Sequence, residues 1–207
     1  IPLAAVGLLL VLCVLVFRAP AEAQLGNLIR LIYVHGALVW TGLLAFSTAG
    51  LLGLIALVTR RSAWYRATRA GGLTALIVWV LYCLVAMVVT RFAWGQLIAW
   101  NEPRVQATGM ILLAALAIWT VTRLVDRSEL TAVAHIGMGI VPWLVVSRAQ
   151  AIRHPVDPIG GSRSAAIQTY YLLILLAVAA MAATLLVWLW VRDEIASGGD
   201  GSRESEA

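Results

Sequence analysis

Six long apolar stretches, each close to the length needed to cross a lipid bilayer, constrain the fold most. About 20 apolar residues in a helix span a hydrocarbon core of about 30 Å. The stretches are residues 1–17, 31–58, 73–90, 107–124, 130–146 and 170–191. Backbone groups in lipid must be paired within the protein, and the stretches lack the alternation of barrel strands. We therefore predict an all-α integral membrane protein, a six-transmembrane-helix bundle.

The composition agrees with a membrane environment and excludes an ordinary soluble domain. Hydrophobic residues make up 62% of the chain and charged residues 12%, whereas soluble domains carry about 25% charged residues. The net charge of +5 comes from arginine, because the chain has no lysine. Such a small excess suggests lipid headgroups or anionic ligand groups and no nucleic acid. Cys13 and Cys83 lie inside apolar stretches, so we interpret them as packing residues.

We predict one membrane domain, residues 1–191, followed by a polar, disordered cytoplasmic tail at 192–207. Residues 1–17 are followed by Ala21-Glu22-Ala23, which would also suit a cleaved signal peptide. We expect a retained helix, because a count of six helices balances the topology.

An arginine cluster between the second and third stretches gives the orientation. Arg60, Arg61, Arg66 and Arg69 predict that this loop is cytoplasmic. Six crossings then place both chain ends in the cytoplasm, in a multi-pass protein of a bacterial-type cytoplasmic (inner) membrane. The outer loops also carry arginines, so this prediction depends on that single cluster.

The three histidines are candidate ligands, and the topology separates them. His35 and His154 fall at the outer face, whereas His135 lies toward the cytoplasmic side of the fifth stretch. Two imidazoles on one face can converge on the iron of a porphyrin as axial ligands. Alternatively, each is a helix-end histidine bonded to backbone or water. For His135 we expect a core histidine bonded to a neighbouring helix.

A tryptophan-containing outer segment separates these histidines in the sequence. Trp94 and Trp100 could be ordinary interfacial residues, as tryptophan commonly is at a membrane boundary. Alternatively, a flat aromatic surface beside Gly95 could pack against a macrocycle, and Arg104 could pair with a propionate of that macrocycle.

Three motifs in this order resemble the CcmC-type haem-handling proteins of cytochrome c maturation, within the superfamily that has a tryptophan-rich outer loop. They are Tyr33-Val34-His35, then Trp94-Gly95-x4-Trp100-Asn101 followed by Arg104, then His154. Gly137 and Pro142 also resemble a Gly and a Pro that precede the family's last histidine. The resemblance covers roughly residues 30–190 and implies six transmembrane helices with haem held at the outer face.

The chain departs from the family pattern at several positions. Residues 96–99 replace the extra tryptophans of the loop, Asn101 stands for its Asp, and one additional residue precedes Arg104. The tryptophan pair that usually precedes the second histidine is also missing.

The resemblance implies non-covalent haem b, bound and presented for cytochrome c maturation. His35 and His154 would ligate the iron, and Arg104 and Arg153 would pair the propionates. The loop residues Trp94, Gly95, Trp100 and Asn101 would flank the ring. Expected partners are membrane lipid, a haem chaperone and an ABC transporter pair.

Covalent catalysis is not required for this function. The chain has no nucleotide-binding glycine loop, so ATP hydrolysis would belong to a partner. The alternative is a membrane-anchor or electron-transfer subunit of a larger redox complex, with or without b-type haem. A transporter is a third possibility, but two repeated halves with interrupted helices are not visible.

Overall fold

The computed structural model describes residues 1–23, 25–150 and 159–203, with side chains up to residue 195. These residues form six helices and no strand. They are α1 (Pro2–Arg18), α2 (Ile29–Thr59), α3 (Ser62–Trp94), α4 (Pro103–Val125), α5 (Ser128–Arg148) and α6 (Ala165–Arg203). The predicted all-α class is confirmed.

Five of the described helices, α2 to α6, are long and apolar enough to cross a membrane. The helix α1 is also apolar but has only 17 residues. Large apolar side chains cover the outside of the bundle, including Leu113, which is 69% exposed, and Val58, which is 77% exposed. Water would penalise such a surface, whereas lipid tails solvate it. The fold is thus a multi-pass membrane helical bundle.

The helices α2 and α3 form the centre of the bundle. The helix α2 packs against α1, α3, α5 and α6, and α3 also contacts α4, α5 and α6. The helix α1 lies at the periphery, against α6 and α2, with no buried residue of its own.

Small residues allow the backbones of α2 and α5 to touch. A Cβ atom on Gly53 would lie 2.7 Å from the carbonyl oxygen of Ala132. A Cβ on Gly50 would lie 3.1 Å from Cα of Gly139. In lipid, helices associate through close packing of this kind, because lipid tails are as apolar as the helix surface.

Local chemistry sets several of the helix ends. Gly95 ends α3 with φ of 77°, a left-handed conformation that glycine adopts without strain. Pro103 opens α4 at a position where its missing N–H costs nothing. At the opposite end of the bundle, Arg69 of α3 pairs with Asp126 after α4 at 2.7 Å.

Candidate functional site

A cavity of about 720 Å³ opens at the end of the bundle where α2 and α6 begin. This volume lies within the range of about 300 to 1,000 Å³ that is typical of cofactor and small-molecule sites. The described helices α2 to α6 all contribute to its wall, each with residues spaced along one helix face. These residues include His35, Val39 and Trp40 of α2, Trp79 and Tyr82 of α3, Arg104 and Thr108 of α4, Trp143 and Ser147 of α5, and Gln168 and Tyr171 of α6.

His35 lies in the second turn of α2 and forms part of the cavity wall. Its half-buried imidazole ring lies 5.1 Å from the ring of Tyr82, measured between centroids. The next residue, Gly36, allows α6 to approach, since a Cβ there would lie 3.2 Å from the ring of Tyr171. The imidazole therefore lies against α3 at the surface of the cavity, close to the point where α2 and α6 meet.

Arg104 lies in the first turn of α4 and lines the same cavity. Its Nε atom is buried and has no hydrogen-bond partner in the described part of the chain. A buried donor without an acceptor is costly, and guanidinium groups pair best with carboxylates or phosphates. This atom is thus suited to an anionic group of a ligand.

Aromatic side chains supply most of the remaining wall, and several have their polar atoms paired inside the bundle. Trp79 donates to the carbonyl of Thr108 at 3.2 Å, and the hydroxyls of Tyr82 and Thr108 lie 3.0 Å apart. Trp143 donates to the hydroxyl of Ser47 at 2.8 Å. Because these polar atoms are paired elsewhere, the aromatic residues offer the cavity mainly apolar surface.

The four predicted loop residues are not among the described residues that line the cavity. Trp94 is the last residue of α3 and Gly95 is its cap. Trp100 is 67% exposed, and Asn101 is exposed as well. The structure thus brings His35 and Arg104 together and places Trp94, Gly95, Trp100 and Asn101 outside the cavity wall.

The second predicted iron ligand, His154, and the predicted propionate partner Arg153 lie outside the described residues. The residues on either side of that segment are described. Ala149 and Ile159 both line the cavity.

The third histidine, His135, lines a different and much smaller cleft. Its carbonyl oxygen lies 3.0 Å from where a Cβ on Gly50 would be. Gly50 is 15 residues beyond His35 on α2, which corresponds to roughly 22 Å along the helix axis. One ligand in the large cavity could not contact both His35 and His135.

Sequence reasoning did not find the aromatic residues of the cavity wall. Trp79 and Tyr82 are spaced three apart, as are Gln168 and Tyr171, so each pair shares a helix face. That spacing was the available signal. It does not tell which face points to a neighbouring helix, because residues facing lipid are equally apolar.

Comparisons with known proteins assign no family to this chain. No protein-family model matches it, and no curated protein sequence matches it.

Proposed function

We propose that the protein binds haem b non-covalently in the large cavity and presents it for cytochrome c maturation. The observation that most supports this is that His35 and Arg104 line the same cavity, and that the buried Nε of Arg104 has no hydrogen-bond partner in the described part of the chain. A haem offers an iron for an imidazole, carboxylates for a guanidinium and a flat apolar ring for aromatic walls. The residues present fit all three parts of that molecule.

In this proposal His35 is one axial ligand, and His154 remains the predicted second one. Arg104 pairs a propionate, with Arg153 as the predicted second partner. Trp79, Tyr82 and Trp143 exclude water from the ring. When bound, the haem supplies a redox-active iron. Release to a haem chaperone beside an ABC transporter pair belongs to the same proposal.

The loop residues Trp94, Gly95, Trp100 and Asn101 remain predicted haem-binding residues, with a smaller contribution to haem affinity than the residues of the cavity wall. The described cavity wall does not include these residues. They can therefore contact the haem only if the bound ring extends out of the cavity to the loop before α4. The exposed face of Trp100 is then available either to the ring or to the protein that receives it.

An absorption spectrum of the purified protein, recorded with and without dithionite, tests the proposal. We expect a Soret band and reduced bands of a six-coordinate b-type haem, with about one haem per chain. Incubation with an apo haem chaperone should lower the haem content. Protein that takes up no haem when it is added would contradict the proposal, and haem that stays bound would favour an electron-transfer subunit.

Arg104 lines the cavity and Trp100 does not, and this difference predicts different effects of their replacement on haem affinity. Arg104→Gln should weaken haem binding by about tenfold, because a charge-assisted hydrogen bond to a propionate contributes about 1.5 kcal/mol. Trp100→Ala should change the affinity by less than about threefold, since Trp100 is exposed outside the cavity wall. Haem titration of both variants measures the difference. Equal losses would mean that the loop is part of the binding site.

We further propose that α1 is a sixth span and that both chain ends face the cytoplasm. The support is that Arg60, Arg61, Arg66 and Arg69 all lie at the turn between α2 and α3 or in the first turns of α3. The pair of Arg66 with Glu194 of α6, at 2.7 Å, joins this end of the bundle to the end of α6.

Single cysteines test this orientation, in a background where Cys13 and Cys83 are replaced by Ala. An impermeant thiol reagent added to intact cells should label Gln96→Cys, in the loop between α3 and α4, and should not label Ser62→Cys. Both sites should react after the membrane is opened. The reverse pattern in intact cells would place the large cavity on the cytoplasmic side.

A further inference from the structure

A second cleft lies at the opposite end of the bundle and carries both arginine and histidine side chains. It is formed by residues of α2 to α5, among them Arg69, Trp119, Arg123 and His135. The cleft has a volume of about 30 Å³, which is room for a single water-sized group. The haem-binding proposal makes no use of this cleft.

The cleft carries an excess of positive charge. Arg69 is paired with Asp126. Arg123 is exposed and forms no ion pair within the described ranges. Two guanidinium groups thus face one carboxylate, so a cation is left to attract an anion.

His135 points to a ligand independently of this charge. Only 8% of its surface is exposed, and its Nδ1 atom is buried without a hydrogen-bond partner among the described residues. The ring lies so close to Gly72 of α3 that a Cβ there would overlap with it. Buried polar atoms are nearly always hydrogen-bonded, and His135 belongs to the wall of the cleft. A group seated in the cleft therefore lies beside an imidazole that lacks a partner for one of its nitrogen atoms.

The side chains around the cleft indicate that an anion bound there belongs to a lipid. Trp119 lines the cleft and is itself 40% exposed, and Leu116 and Leu124 of the same helix are exposed apolar residues. An anion that binds here therefore lies beside a surface that is solvated by acyl chains. Basic pockets between transmembrane helices bind anionic lipid headgroups for this reason.

We propose that this cleft binds the phosphodiester group of an anionic phospholipid. Arg123 and Arg69 donate to the phosphate oxygens at the mouth of the cleft. The cleft itself holds one phosphate oxygen or a bridging water next to His135. The acyl chains lie along Trp119 and the exposed leucines of α4.

Native mass spectrometry of the full chain in detergent tests the proposal, with phosphatidylglycerol as the probe and phosphatidylcholine as the neutral comparison. We expect one saturable phosphatidylglycerol site and at least tenfold weaker binding of phosphatidylcholine. Arg123→Gln should weaken phosphatidylglycerol binding by about fivefold, the effect of one arginine near a membrane surface.

Arg127→Gln is the matched control, because Arg127 is exposed at the same end of the bundle but does not line the cleft. It should change the affinity by less than twofold. Equal losses in the two arginine variants would overturn the proposal in favour of diffuse surface attraction. Inorganic phosphate in large molar excess over the lipid should not displace it. Displacement would overturn the lipid as the occupant.

Discussion

If haem binds as proposed, replacement of His35 by Ala is expected to remove an axial ligand of its iron and thereby change both haem occupancy and absorption spectrum. His35 lines the large cavity together with Arg104. We expect haem affinity to fall by about tenfold or more, which corresponds to about 1.4 kcal/mol. The haem that remains should show a shift toward five-coordinate iron. His154→Ala is predicted to have the same effect.

The matched control is His135→Ala, which removes the same residue type from a different cleft. It should keep the haem spectrum, because His135 lies against Gly72 and Gly50, far from the large cavity. It should lower stability by about 1 to 3 kcal/mol, since the ring fills buried space. Haem per protein and reduced absorption bands of the purified variants decide the matter. Indistinguishable spectra of all three variants would remove the iron-ligand assignment.

The second large effect is expected at the crossing of α2 and α5. Gly53→Ala would place a Cβ atom 2.7 Å from the carbonyl oxygen of Ala132, which is a backbone atom. The two helices must then move apart, and we expect the free energy of unfolding to fall by about 1 to 3 kcal/mol. Thermal unfolding of the purified protein in detergent measures this loss.

Gly109→Ala in α4 provides the comparison for that experiment. A Cβ on Gly109 meets no described atom within 4 Å. Alanine also favours a helix over glycine by about 0.5 to 1 kcal/mol, so stability should stay the same or rise slightly. A similar loss in both variants would show that the contact between α2 and α5 does not limit stability.

The sequence alone determined the helical class and most of the element positions. Each of the six predicted apolar stretches falls within one observed helix, except that Ile1 precedes the start of α1. A long apolar run without the alternation of a barrel strand pairs its backbone in lipid as a helix. The helices α3 and α4 extend beyond the predicted stretches 73–90 and 107–124, to a cap at Gly95 and a start at Pro103 that those residues' own backbone preferences favour. The 17 residues of α1 are near the minimum length for a membrane span, so length and composition mark α1 less clearly as a span than α2 to α6.

For the candidate site, the sequence singled out His35 and Arg104, because polar residues beside apolar stretches are few and carry a clear chemical signal. Only the tertiary structure showed that they share a cavity, that Trp79 and Trp143 form its walls and that Trp100 stays outside it. It also revealed the close contact of Gly53 with Ala132. The physical reason is that lipid and protein interior are equally apolar, so the pattern along a membrane helix does not tell which face meets another helix. That choice depends on shape complementarity between helices distant in sequence, which exists only in the folded bundle.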